Sequence, residues 1–386
     1  PFLRGVWAGV KSRSGPSVNI DTALQTTTVL ACTRVLAEGC GQLPADVYTI
    51  DQTGRKRTPD YGDVYRLLAL RPNEWMTPFE FRETLTMHAV LTHGGFAYIG
   101  RGLKDVPVEL IPLVPGNVEV CQTADWKLSI RYTDAKGTME LPWKDVLHIR
   151  GPSWNGFRGL EALRLAREAI GLSIATEATH AALHKNGAQP GGILTVKGRI
   201  DKPARERLKE AWETLHGDIY SRFKTAVLDV DATWTPLSMK GVDAEHIATR
   251  EHQIDEICRA MRVFPQMVMH THKTQTFASA ESFFQAHVTH SLMPWLVRWE
   301  QALHRDLLNC APDKRVKLNA NALLRGDATQ RAGFYEKALG GARPETAYMV
   351  KNEVRALEDL DPIEGGDSFP APAAPTKDGT VSGSGN

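Results

Sequence analysis

The sequence predicts an α+β protein organised around long helices, and three observations carry that expectation. Two stretches of helical period, from Asp243 to Met261 and from Ser279 to Asn309, flank a single polar loop. From Phe96 to Ile149 the period of the apolar residues shortens to two. With 386 residues, 42% hydrophobic and 24% charged, the chain can build two or three substructures with cores of their own.

Taken in order, residues 1–18 are rich in Gly, Ser and Pro with Arg4, Lys11 and Arg13, and read as a loose arm. A helix is expected after Asp21, its cap, through Leu24, Thr28, Leu30, Val35 and Leu36 to a break at Gly39 to Gly41. Ala45 to Ile50 alternates as a strand and turns at Asp51 to Gly54. Thr77, Pro78 and Glu80 supply a cap, a proline at the first helical position and the acid that closes a capping box. The helix they open holds Phe79, Leu85, Met87 and Val90 and stops at Gly94 and Gly95. Short strands follow at Phe96 to Ile99, Val108 to Leu113, Val118 to Cys121, Leu128 to Tyr132, Met139 to Leu141 and Val146 to Ile149.

Next comes a helix expected from about Leu160 to Asn186, with Gly187 beyond it. Its alanines, among them Ala169, Ala175, Ala178 and Ala182, occupy more than one face. Small residues let helices approach closely, so this helix is expected to meet neighbours on two sides, as at a subunit interface. Residues 188–241 read as a small α/β insertion: a strand at Ile193 to Val196, a helix from Pro203 to Leu215 capped by Asp201, and strands at Ala226 to Val230 and Thr233 to Leu237. The helix carries Arg205, Arg207, Lys209, Glu210 and Glu213, a mixed-charge surface suited to reversible contact.

In the first of the two flanking helices Ile247, Ile254, Ile257, Cys258 and Met261 form the apolar stripe, with Arg250, Glu251, Asp255 and Arg259 between them. At about 1.5 Å per residue it is about 30 Å long. Pro265 pushes Phe264 out of the helical region, and His270, Thr271, His272, Lys273, Thr274, Gln275 and Thr276 form a loop with nothing apolar to bury. Phe284, Val288, Leu292, Trp295, Trp299, Leu303 and Leu307 stripe the second helix, which Pro294 should bend. A strand at Val316 to Leu318, a helix capped by Asp327 and closed by Gly340 and Gly341, and a last helical stretch from Pro344 to near Leu360 complete the fold. The tail from Pro370 is of disordered composition.

Several chemistries find no support in these residues. No Gly-Lys pair exists, so a phosphate-cradling loop of the motor type is absent. No apolar run reaches the roughly 18 residues of a membrane span, and no signal-peptide pattern opens the chain, so a soluble intracellular protein is expected. Five scattered cysteines without a Cys-x-x-Cys pattern read as reduced, buried thiols. Gly151-Pro152-Ser153-Trp154-Asn155 has the outline of a nucleophile elbow, but its closing glycine is displaced to Gly156. His180 with His184, His287 with His290, and His270 with His272 are spaced as metal ligands could be, yet no His-Glu pair accompanies them. A hydrolase using Ser153 or a histidine metal site is therefore kept as the alternative reading, and no cofactor is expected. The formal net charge of +1 argues against a protein that grips nucleic acid by neutralising many phosphates.

From about Asn19 to Asp367 the chain resembles the portal proteins of tailed bacteriophages, of the HK97 type. The resemblance lies in Arg71-Pro72-Asn73 with Thr77-Pro78-Phe79-Glu80-Phe81, in Gly151-Pro152-Ser153 with Gly156 and Gly159-Leu160, and in Leu292 to Trp295. It continues in Leu324-Arg325-Gly326-Asp327, Asn352-Glu353-Val354-Arg355, and Asp361-Pro362 followed by Gly365-Gly366-Asp367. It departs at Phe264, where a proline is common, and at Met269, where a glycine is usual. The resemblance implies a dodecameric ring at one capsid vertex through which double-stranded DNA is packaged and ejected. It also implies docking of the terminase large subunit and then of a head-tail adaptor, contact with the major capsid protein or scaffold, and no membrane. On this reading residues 1–18 are an arm, 19–158 a wing, 159–187 and 242–262 stem helices, and 188–241 a clip. Residues 263–279 become the tunnel loop, 280–318 the long kinked helix and a strand of the wing, 319–367 a helical crown, and 368–386 a tail.

Overall fold

The structure is a computed structural model that describes residues 10–51, 57–185, 193–196, 201–203, 206, 207, 210, 232–235, 242–270, 277–320, 323, 328–341, 343, 346–358 and 360–369. They divide into one unit that ends at Ala320 and a second that begins at Asn321.

The chain enters as a hairpin, β1 (Val10–Lys11) with β2 (Ser17–Val18), so the second half of the expected arm is ordered structure. Asn19, rather than Asp21, caps α1 (Ile20–Gln25): its Oδ1 accepts the Thr22 N–H at 2.8 Å and Thr22 Oγ1 accepts the Asn19 N–H at 2.9 Å. Asp21 falls inside the first turn, where a carboxylate suits the helix dipole. The backbone extends at Thr26 and α2 (Thr27–Gly41) follows, so the single expected helix is two. α2 ends at Gly41, within the expected break. A Cβ on Gly41 would lie 3.2 Å from the Phe79 ring, and one on Gly39 would lie 2.6 Å from Leu292 Cδ2, so both serve close packing.

Next are β3 (Ala45–Ile50), β4 (Arg57–Pro59) and a short helix, α3 (Asp63–Tyr65), that widens into a π turn at Arg66–Leu70. That turn was not evident in the sequence, being too short for its period to register. Its Leu67 and Leu68 are buried. The capping box at Thr77 is formed as expected, with Glu80 Oε2 accepting the Thr77 N–H at 2.8 Å, and it opens α4 (Pro78–Leu91). Buried Arg82 of α4 donates to the carbonyls of Leu68 and Gly41, tying three elements together.

All six expected strands form. β5 (Gly95–Arg101) is the centre of an antiparallel sheet between β6 (Pro107–Leu113) and β10 (Val146–Ile149), while β7 (Val118–Gln122), β8 (Leu128–Asp134) and β9 (Gly137–Pro142) make a meander. Phe96, Val118, Val120, Ile130 and Val146 bury a shared core. The long helix expected from Leu160 is divided into α5 (Ala162–Leu165) and α6 (Arg167–Lys185) at Ala166. Leu160 belongs to the preceding loop, because its N–H is bound to the Pro152 carbonyl at 2.7 Å. The entry hairpin packs on α6: a Cβ on Gly171 would lie 2.3 Å from Ser12 Oγ, and the Arg13 N–H reaches Glu168 at 2.9 Å.

Within the insertion β11 (Ile193–Val196) pairs antiparallel with β12 (Ala232–Thr235), from Ile193 opposite Thr235 to Val196 opposite Ala232. The expected strand at 226–230 and residues 211–215 of the expected helix lie outside the described residues. From α7 (Val242–Met261) the chain passes through a 3₁₀ turn at Pro265–Val268, and α8 (Phe277–His287) opens two residues earlier than expected. A π turn at Val288–Leu292 joins α8 to α9 (Met293–Asp306). Pro294 follows directly on that π turn in backbone that stays helical through Leu292 and Met293, so the widened turn falls where the proline removes a ladder N–H. The stripe is buried from Val288 through Leu307, while Phe284 at its outer end is 39% exposed. Trp299 is fully buried and donates to Thr86 Oγ1 at 3.0 Å. Asp306 at the end of α9 accepts the His148 N–H of β10 at 3.1 Å. Finally β13 (Lys314–Leu318) pairs antiparallel with β3, Val316 opposite Val47, and closes a sheet opened near the start of the chain.

In the second unit α10 (Ala328–Ala338) ends at Gly340 and Gly341, both at positive φ. Its expected cap, Asp327, and Pro344 lie outside the described residues. The last helix, α11 (Lys351–Leu357), is shorter than expected. Asn352 organises the segment after that helix. Its Nδ2 donates to the Ile363 carbonyl and to Asp367 Oδ1, both at 3.0 Å, and its Oδ1 accepts the Ile363 N–H at 2.8 Å. Gly366 must be glycine for this, since a Cβ there would stand 2.3 Å from Asn352 Oδ1.

Candidate functional site

The candidate site is the helix pair α6 and α7 with the segments at its ends. Ile257, Cys258 and Met261 of α7 are buried, whereas Arg250, Glu251 and Arg259 are exposed and Asp255 is half-buried, as the stripe required. Buried Gln253 donates to Thr176 Oγ1 of α6 at 3.2 Å, which fixes the register of the two helices. On α6, Gly171, Ala175, Ala178 and Ala182 follow one another at spacings of three and four and so share a face. The hairpin covers this stripe at Gly171, while Ala175 is half-buried and Ala178 and Ala182 are exposed. Ala169, also half-buried, stands off that line. Leu165 and Leu172 are exposed on the same two helices, α5 and α6, at 67% and 45%.

At the other end of α7, Phe264 is extended (φ −69°, ψ 133°), as the following proline demands. The 3₁₀ turn then closes with His270 N–H on the Pro265 carbonyl at 3.0 Å. His270 lies against α7, its Nε2 4.0 Å from Asp255 Oδ1. It is the foot of the loop. Thr271, His272, Lys273, Thr274, Gln275 and Thr276 lie outside the described residues. Met269, 93% exposed, adopts the left-handed conformation at φ 61°. This gives a physical meaning to the glycine usual there, because a Cβ makes that conformation costly. Met269→Gly is expected to raise stability by roughly 0.5–1 kcal/mol. The urea midpoint of the two proteins measures it, and an unchanged or lower midpoint contradicts the strain. A cavity of about 480 Å³ opens beside this foot, lined by Cys258, Arg262, Phe264 and Ser291 among others.

Ser153 is occupied within its own loop. Its hydroxyl pairs with the Arg158 carbonyl and Asn155, and it accepts the Gly156 N–H at 2.9 Å. Gly156 takes φ 82° and Gly159 donates to the His93 carbonyl at 2.8 Å, so the segment is a stitched turn that leads into α5. His287 is buried and His290 exposed, which separates that pair. Among the described residues no three of His, Cys, Asp and Glu gather as a metal ion would need. In the insertion Arg207 and Glu210 are exposed and Arg207 Nε donates to the Pro203 carbonyl at 3.3 Å. Arg205, Lys209 and Glu213 lie outside the described residues.

The sequence reading missed one pairing. Cys32 of α2 and Cys258 of α7 are both buried with their sulfurs 3.7 Å apart. Helical spacing put Cys258 in the apolar stripe of its helix, but nothing in either stretch points to the other. Cys40 is buried too, whereas Cys310 is exposed and Cys121 half-buried, so buried thiols are not the rule for all five. Among the described residues no helix is long and apolar enough to cross a membrane.

Comparison with known proteins bears on the whole assembly of elements. The family described as Phage portal protein matches residues 27–359. The portal protein of Enterobacteria phage HK97 is 28% identical over 359 residues, which are 91% of this chain and 82% of that protein. A chain from the neck of a native gene transfer agent particle, solved with C12 symmetry, is similar with a TM-score of 0.61 at 22% identity, over 93% of this chain and 98% of that one. A solved HK97-family portal protein from Corynebacterium diphtheriae is similar with a TM-score of 0.59 at 14% identity, over 80% and 96%.

Proposed function

The chain belongs to the phage portal protein family, and from that premise we propose that it is the subunit of a dodecameric ring at one capsid vertex, through which double-stranded DNA is packaged and later ejected. The ring assembles in the host cytoplasm, contacts the major capsid protein or scaffold, and stays in the virion. The observation that carries this reading is the helix pair α6 and α7. The part of its small-residue face at Ala178 and Ala182 is left open in the single subunit, with the insertion following α6 and the polar loop following α7 along the chain. A closed ring gives such a face a partner at every subunit.

The parts then take roles. Ala169, Ala175, Ala178 and Ala182 lie at or beside the subunit contact. Arg205, Arg207, Lys209, Glu210 and Glu213 present the surface that docks the terminase large subunit and afterwards the head-tail adaptor. Residues 271–276, with His270 as their foot, reach the channel. With Lys273 the one firmly charged side chain among them, they touch DNA weakly, and the duplex slides between equivalent subunits without a deep energy well. Ser153, tied into its own turn, is structural on this reading, and no catalytic group is assigned.

Replacing 271–276 by a Gly-Ser linker tests the loop. Rings are expected at wild-type yield, because the helices carry the contacts, while DNA packaging or retention falls. Wild-type packaging by that variant would reduce the loop to a connector.

A further inference from the structure

We propose that Cys32 and Cys258 are an oxidation site: a buried dithiol that a small hydroperoxide closes to a disulfide, fastening α7 covalently to α2. Three features of the structure support it. The sulfurs already face each other at 3.7 Å, and reaching the bonding distance of about 2.05 Å asks for an approach of about 1.7 Å. Both thiols are essentially closed to bulk solvent, so reagents the size of glutathione are kept out. Cys258 nevertheless lines the cavity of about 480 Å³ beside the loop foot, which admits a molecule as small as hydrogen peroxide.

The order of events is set by the pair itself. Cys258 lines the cavity and Cys32 does not, so the peroxide meets Cys258 first, and the hydrogen bond from Cys32 favours its thiolate. Its thiolate takes one oxygen from the peroxide, becoming a sulfenic acid as the O–O bond breaks and hydroxide leaves. The Cys32 sulfur then attacks Cys258 Sγ, the S–O bond breaks, and the second oxygen leaves as hydroxide, which takes the Cys32 proton to become water. In sum two thiols and one peroxide give one disulfide and two waters.

The closed loop spans 226 residues, so the link constrains the unfolded chain strongly. Its use rests on the portal reading above: the thiols stay reduced in a host cytoplasm and close once the particle leaves it, which stiffens the stem against the body of the subunit.

The test uses the full chain carrying Cys310→Ser, which removes the exposed thiol that could link subunits. Peroxide treatment is expected to lower the intact mass by about 2 Da and to yield one cross-linked peptide joining Cys32 and Cys258. The unfolding midpoint should rise by about 4 °C or more and fall back on reduction. In the same background Cys32→Ser should instead stop at a sulfenic acid on Cys258, read as a gain of about 16 Da on the peptide that carries it. Two free thiols at 32 and 258 after treatment, or oxidation of Cys258 without the link in the parent chain, would overturn the proposal. Because the chemistry is read on the subunit, failure of the protein to form rings would count against the portal reading and leave this result standing.

Discussion

Ala178→Trp is expected to abolish ring assembly while the subunit itself folds normally. Ala178 is exposed on α6, so an indole there meets solvent in the isolated chain and disturbs no internal packing. In the proposed ring it meets a neighbouring helix instead. Overpacking a close helix contact costs roughly 1–3 kcal/mol, and a closed ring repeats that cost at every interface, so the effect on assembly is close to all or none. Ala182→Trp, on the same exposed line, should act alike, whereas Ala178→Ser should be tolerated. Light scattering after size-exclusion chromatography reads the assembly, and the urea midpoint of the subunit serves as the control. Rings of Ala178→Trp at wild-type yield would remove α6 from the interface.

The second large effect is a loss of stability in mild acid, which originates in the N-terminal unit. Burial holds His88 at a pKa of about 4, and burial followed by the nearby Arg158 guanidinium holds His93 at about 4. His148 is pushed in the same direction by burial, then by Arg150, Arg305 and His93. Each is neutral in the folded protein while an unfolded histidine titrates near 6.5. Between about 6.5 and 4 the unfolded chain therefore binds more protons, so this stability is intact above pH 6.5 and drains away as the pH falls. At pH 5 the cost is roughly 2 kcal/mol for each of His88 and His93. Asp60, whose carboxyl is lowered first by the Lys314 hydrogen bond, loses its contribution only at more acid pH, so the window belongs to the histidines. Urea midpoints at pH 7.5, 6 and 5 should fall progressively, and His88→Gln should flatten that slope. A pH-independent midpoint over this range would show that the histidines are solvated.

How much of this was readable in advance divides along physical lines. The capping box of Thr77 and Glu80, the strand at Ala45–Ile50, the six strands up to Ile149 and the two striped helices around Pro265 were all legible. In each the deciding interaction spans a few residues or a regular period. The foot of the candidate loop was legible for the same reason, since Pro265 alone extends Phe264. The choice between neighbours was not: Asn19 and Asp21 are both good caps, and only the backbone path lets Asn19 reach the Thr22 N–H.

The sequence by itself determined the class, the order of the longer helices and strands, the family and the absence of familiar catalytic patterns, because period, caps and turn residues are properties of adjacent positions. Tertiary structure decided which distant segments meet. It paired β13 with β3, folded the Val10–Val18 hairpin onto Gly171, seated Asn352 against Gly366, and brought Cys32 to Cys258. It also set Met269 in a left-handed turn that its side chain resists. Each of these contacts depends on packing accumulated over many residues, and no single stretch of chain contains the partner that gives it meaning.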